Sequence, residues 1–163
     1  MRRDLIAMDQ LGLLKRFHGG AGLPGAVERP SYTDKRTINT SGKGAIGRSA
    51  AALVRAGDTV FLDVGTTVEA AATALARILE DNPIGDLRAV CAGLNAAMIL
   101  AGAPGVRVEV LPGEVNTPDG AITGAATVAA LADVRLDHAF LGVSAFDADG
   151  AAWDFDPAKV AVK

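Results

Sequence analysis

A single cysteine, Cys91, excludes a disulfide framework, and two histidines far apart, His18 and His138, exclude a recognisable zinc spacing. Aromatic residues make up only 4% of the chain, so the core must be built from aliphatic side chains. No apolar run approaches the roughly 20 residues that cross a bilayer, and the start carries no hydrophobic signal segment. These absences predict a cytoplasmic protein with no membrane partner, no bound metal and no cofactor. What the sequence has in quantity is small and aliphatic: 50% of its 163 residues are hydrophobic and 19 are glycine. That is enough for one α/β core with a short appendage, and too apolar for disorder. The net charge of -3 is split, with seven basic and four acidic residues through Arg36 against nine and fifteen beyond it. A basic head on an acidic body suggests a polyanion facing the head.

In the head, Leu5, Met8 and Leu11 fall at helical spacing, and Gly12 suits the position after a helix end. Leu13-Leu14-Lys15-Arg16-Phe17-His18 reads as a short strand closed by Gly19-Gly20. A helix beginning with two arginines, followed by a basic hairpin, is how a winged helix meets DNA. Arg2, Arg3, Lys15, Arg16 and His18 are the candidate DNA contacts, although a solvated helix and tail explains them equally well. The helices that brace such a reading helix do not precede it here. Residues 1–22 are therefore expected to be a partial DNA-binding unit, loosely held or docked on the body. Residues 23–41 read as a linker, interrupted by Pro24, Gly25 and Pro30.

The body, residues 42–163, alternates helices and strands. Thr59-Val60-Phe61-Leu62-Asp63-Val64 is a strand apolar on both faces, and Arg88–Ala92, Val106–Leu111 and His138–Val143 are the others. Helices are expected over about 43–55, 68–79, 95–100 and 125–131. This pattern predicts an open, mainly parallel sheet covered by helices, with ligands at the carboxyl ends of its strands.

Asp63-Val64-Gly65-Thr66-Thr67 lies between a strand and a helix. Gly65 permits a tight turn, and Thr66 and Thr67 bring hydroxyls and free amides to a helix start, where an anion is favoured. Plain capping by a threonine is the competing explanation. Gly93, Gly124 and Gly142 stand at neighbouring joints where small residues leave room for a ligand. Asp63 can orient a sugar hydroxyl, and Lys163 can fold back on an anion. No catalytic pairing of serine or cysteine with histidine is evident, so an anion-binding domain is favoured over a sugar-phosphate isomerase-like enzyme.

Several segments in order resemble the DeoR family of bacterial transcriptional repressors. Arg2-Arg3-Asp4-Leu5 is similar to the end of that family's reading-helix motif. Leu13-Leu14-Lys15-Arg16-Phe17-His18-Gly19-Gly20-Ala21 resembles its wing, and Lys43-Gly44-Ala45-Ile46 the K-x-x-I that opens its sensor domain. Asp63-Val64-Gly65-Thr66-Thr67 matches its D-x-G-T-T loop, and His138-Ala139-Phe140-Leu141-Gly142 its K-A-F-L-G strand. The resemblance implies the fold shared by ribose-5-phosphate isomerase, glucosamine-6-phosphate deaminase and CoA transferases. It also implies a phosphorylated sugar or polyol as effector of a catabolic repressor, a homo-oligomer, and operator DNA as partner of the full-length protein rather than of this stretch. Gly65, Thr66 and Thr67 would take the phosphate. Two places depart from the family. Cys91-Ala92-Gly93-Leu94 replaces T-N-S-L, removing two candidate partners for sugar hydroxyls. Gly142-Val143-Ser144-Ala145 replaces G-A-D-G, removing an acid, and the acid-rich D-G-A-D-E segment of the isomerases is lacking, so no catalysis is expected. Relatives run on at both ends, so the sensor is expected to be incomplete at its C-terminus.

Overall fold

The structure, a computed structural model, describes residues 2–17, 20–24, 30–83, 85–115 and 117–163. Two compact units divide at Asp34/Lys35. The first contains helix α1 (Arg2–Gln10) and a hairpin of β1 (Lys15–Phe17) and β2 (Gly20–Gly22), paired antiparallel. Met8 on α1 and Leu11 just beyond it are exposed. A second helix, α2 (Tyr32–Thr37), begins within the stretch that its prolines mark as linker. The reason is local: Ser31 and Asp34 form a reciprocal cap. The Ser31 amide donates to the Asp34 carboxylate at 3.0 Å, and the Asp34 amide donates to the Ser31 hydroxyl at 3.1 Å.

The second unit opens with α3 (Thr40–Ala51), whose N-cap is Asn39 rather than Thr40 or Ser41; the Asn39 side chain accepts from the Gly42 amide at 3.3 Å. Strand β3 (Thr59–Leu62), α4 (Thr66–Asp81), β4 (Leu87–Cys91), α5 (Leu94–Leu100) and β5 (Val106–Val110) follow. A small hairpin of β6 (Glu114–Val115) and β7 (Ile122–Thr123) precedes α6 (Ala125–Ala132) and β8 (His138–Phe140). A second hairpin, β9 (Ala145–Phe146) with β10 (Ala152–Trp153), leads to α7 (Pro157–Val162).

The main sheet has the order β5-β4-β3-β8, all parallel, with Phe61 opposite Val90 on one side and Ala139 on the other. Arg107 and Glu109 alternate with apolar residues because β5 is an edge. Strand alternation splits the core in two. Val60, Leu62, Ala89 and Cys91 face α3, α4 and α5, where Val68, Ala72, Leu75 and Leu79 form the apolar stripe of α4. Phe61 and Val90 face the other way, onto Leu111, Val162, Ala130 and Leu131. Each fully buried leucine contributes about 1.5–3 kcal/mol. Helices α3 and α4 cross closely: a Cβ at Gly47 would lie 2.6 Å from the Ala70 carbonyl oxygen, so only glycine fits there. Among the described residues no helix is long and apolar enough to cross a membrane.

Candidate functional site

The chain leaves β3 toward β4 on one side, while β8 arrives on the other, so the carboxyl ends of β3 and β8 form the switch point of the sheet. Asp63 stands there, 2% exposed. Its carboxylate accepts from the Gly142 amide at 3.0 Å and lies 3.4 Å from Lys163 Nζ. Lys163 Nζ also donates to Asp154, and the Ser144 hydroxyl donates to the other Asp154 oxygen at 3.1 Å. Burial pushes the Asp63 carboxyl above its ordinary range, and Lys163 with the Val64 and Gly142 amides offsets this only in part. Burial pushes Asp154 up as well, but Lys163 and the Phe155 amide outweigh it and hold that carboxyl down to about 2. The two loops touch: a Cβ on Gly142 would fall 2.2 Å from the Val64 carbonyl oxygen.

Asp63, Gly65, Gly142 and Lys163 are thus gathered at one crest, but the Lys163 ammonium is engaged by two carboxylates. Ser144 stands where the resembled family carries an acid, and Asp154, arriving from the far side of the β9–β10 hairpin, brings a carboxylate to it. Four residues before Lys163, Lys159 pairs with Asp119 at 2.5 Å. Burial raises Asp119, while the bond from Lys159 lowers it, and the net direction is down. Gly93 is buried and bridges antiparallel to Ala121. The Leu94 amide, the first of α5, donates to the Gly120 carbonyl at 3.0 Å. Gly124 is the exposed N-cap of α6.

Helix α4, like α5 and α6, begins at a glycine. Its N-cap is Gly65, at φ 146°, which has no side chain to close the helix start. Neither Thr66 nor Thr67 serves as the cap, and among the described residues their amides have no protein acceptor. Beside this start, between α3 and the first two turns of α4, lies a cavity of about 270 Å³. Arg36, Thr40, Lys43, Thr66, Glu69 and Thr73 give it polar walls, and Gly44, Ala70 and Ile99 complete them. Lys43 Nζ donates to the Lys35 carbonyl. Of the residues expected to bind effector, Thr66 lines this cavity; the others lie at the crest and at the neighbouring joints.

Sequence reasoning did not single out Arg36, Lys43 or Glu69 as site residues. Lys43 was visible only as the first residue of a motif, and Glu69 only as one turn beyond Thr66. Cys91 offers no nucleophile, since burial pushes its thiol up to about 12. In the first unit, Arg3, Lys15 and Arg16 are exposed, with the Arg16 amide donating to Asp9 at 3.1 Å. Arg2 opens α1, and His18 lies outside the described residues.

Comparison with known proteins identifies the family of the chain. Residues 38–163 match the DeoR C terminal sensor domain. The glycerol-3-phosphate regulon repressor of Haemophilus influenzae is 38% identical over 163 residues, covering 100% of this chain and 61% of that protein. The Escherichia coli glycerol-3-phosphate regulon repressor is 36% identical over the same length and 62% of its own. The HTH-type transcriptional repressor CsqR of Escherichia coli is 34% identical over 156 residues, 96% of this chain and 58% of that one. The chain spans about three fifths of the length of these relatives. Its sequence, its parallel sheet and its match to the sensor model place it in the DeoR family.

Proposed function

We propose that the chain is the effector-sensing part, with a portion of the DNA-reading head, of a transcriptional repressor of carbohydrate or polyol catabolism. Its effector is a small phosphorylated polyol or sugar. Glycerol 3-phosphate is the first candidate, because two similar proteins are named for a glycerol-3-phosphate regulon. The single observation that carries the reading is the cavity of about 270 Å³ beside the uncapped start of α4, with Lys43 and Arg36 on its wall. A phosphate dianion there meets unpaired amides, a helix dipole and two cations. Pockets for drug-sized ligands run to about 300–1,000 Å³, so this one suits a molecule of a few carbons.

Thr66, with Gly65 and Thr67 beside it at the helix start, forms the phosphate end. Asp63, Gly142 and Lys163 support that turn from the crest, and Gly93 and Gly124 shape the adjoining joints. In the full-length protein, Arg2, Arg3, Lys15, Arg16 and His18 contact operator DNA, the protein assembles as a homo-oligomer, and it works in the cytoplasm. The matched relatives are named as repressors, and no observation favours an enzyme.

Calorimetry and thermal shift with sn-glycerol 3-phosphate against glycerol test the reading. Binding and stabilisation are expected only with the phosphate, and are expected to weaken in Thr66→Val/Thr67→Val and in Lys43→Met. An equal response to the two compounds would refute it.

A further inference from the structure

The cavity beside α4 holds one group that an anion site does not need. Glu69 puts a carboxylate among Lys43, Arg36 and three threonines. A carboxylate repels a phosphate, and it accepts hydrogen bonds from hydroxyl groups. It is held in place from behind. The Asn95 side-chain amide donates to Glu69 Oε1 at 3.2 Å and to the Asp119 carbonyl at 3.2 Å. Asp119 is itself paired with the buried Lys159. The Asn95 side chain is thus a brace for an acid.

Spacing supplies the second half of the argument. Thr66 and Glu69 are three residues apart on α4, so their Cβ atoms stand about 5–6 Å apart on one face of the helix. That is the span from a phosphate to a hydroxyl carried two or three carbons away. The departure at Cys91-Ala92-Gly93-Leu94 also leaves this chain without the asparagine and serine that the resemblance would assign to hydroxyls. Glu69 is the carboxylate among the residues that line the cavity.

We propose that Glu69, positioned by Asn95, is the residue that makes this site specific for a phosphate ester bearing free hydroxyls, rejecting bare phosphate esters and bisphosphates. The inference rests on the effector reading of the cavity. A site built to accept a hydroxyl discriminates strongly against the analogue lacking it, because its acceptor is left unmatched.

The test compares sn-glycerol 3-phosphate with n-propyl phosphate, which has the same three carbons and no hydroxyl, by calorimetry on the whole chain. The wild type is expected to prefer glycerol 3-phosphate by about tenfold or more, as befits a hydrogen bond to a charged group. Glu69→Gln is expected to lose most of that preference while binding propyl phosphate as well as before or several-fold better. Asn95→Ala is expected to lower the preference partway. If Glu69→Gln weakens both probes equally, Glu69 acts only as a structural support of the cavity, and the proposal fails. If the preference survives the substitution, the proposal also fails while the effector reading stands. If the wild type binds neither probe, the effector reading itself falls and takes this proposal with it.

Discussion

Replacing Gly142 by alanine should unsettle the crest more than any other single methyl group. The added Cβ would lie 2.2 Å from the Val64 carbonyl oxygen, where ordinary carbon–oxygen contacts stand at about 3.3–3.6 Å. About 1 Å must open between two backbones that have no flexible side chain to yield. The movement also draws the Gly142 amide away from the Asp63 carboxylate, a 3.0 Å bond to a group only 2% exposed. Overpacking costs about 1–3 kcal/mol, and an unmatched buried acceptor about 1–3 more. The expected loss is roughly 2–6 kcal/mol, out of the ~5–15 kcal/mol that a domain possesses. At about 2–4 °C per kcal/mol for a chain of this size, the melting temperature should drop by roughly 4–24 °C. Circular-dichroism melts and urea titrations read this directly. Gly102→Ala is the control, since its Cβ would meet nothing within 4 Å. A Gly142→Ala protein that melts within about 2 °C of the wild type would refute the argument that the two loops are locked by contact.

Other consequences of the crest can be measured in the same way. Lys163→Met leaves two buried carboxylates facing each other and should cost about 3–5 kcal/mol in urea unfolding; adding Asp63→Asn should recover part of it, and full stability of the single variant would contradict the cluster. Acid separates the two carboxylates. The folded-state pKa of Asp154 is depressed to about 2, so its contribution is present above about pH 4 and is lost as pH falls toward 2. Asp63 is shifted upward, so its ionisation opposes folding and its protonation on acidification relieves that cost. Asp154→Asn should therefore flatten the fall in stability between about pH 4 and 2, and an unchanged profile would show that Lys163 does not hold that proton off.

The sheet was legible because its strands are plain runs. Val60-Phe61-Leu62 is apolar on consecutive positions, as a strand buried on both faces requires. The turn from β3 into α4 was legible because glycine and two threonines are contiguous. Short elements fixed by tertiary contact were not. Helix α7 has six residues, too few for periodicity to speak, and through Lys159 and its C-cap Lys163 it is held by Asp119, Asp63 and Asp154. The cavity was invisible for the same reason. Arg36, Lys43, Glu69 and Ile99 share no sequence pattern and become neighbours only when α3 packs across α4 at Gly47. The crest lysine was foreseen as a cation near the ligand, but its two carboxylate partners lie 100 and nine residues away along the chain, and only the fold brings them to it.

The attachment of α7 has a thermal consequence. One of its grips is apolar, through Val162 in the second core cluster, and the other is ionic, through Lys159 and Lys163. Chilling loosens the first, because the water-driven attraction between hydrocarbon groups fades in the cold. Heating favours the second, because stripping hydration from paired ions becomes easier as temperature climbs. Fastened by both, the helix should stay seated over a wider span of temperatures than either grip alone would permit.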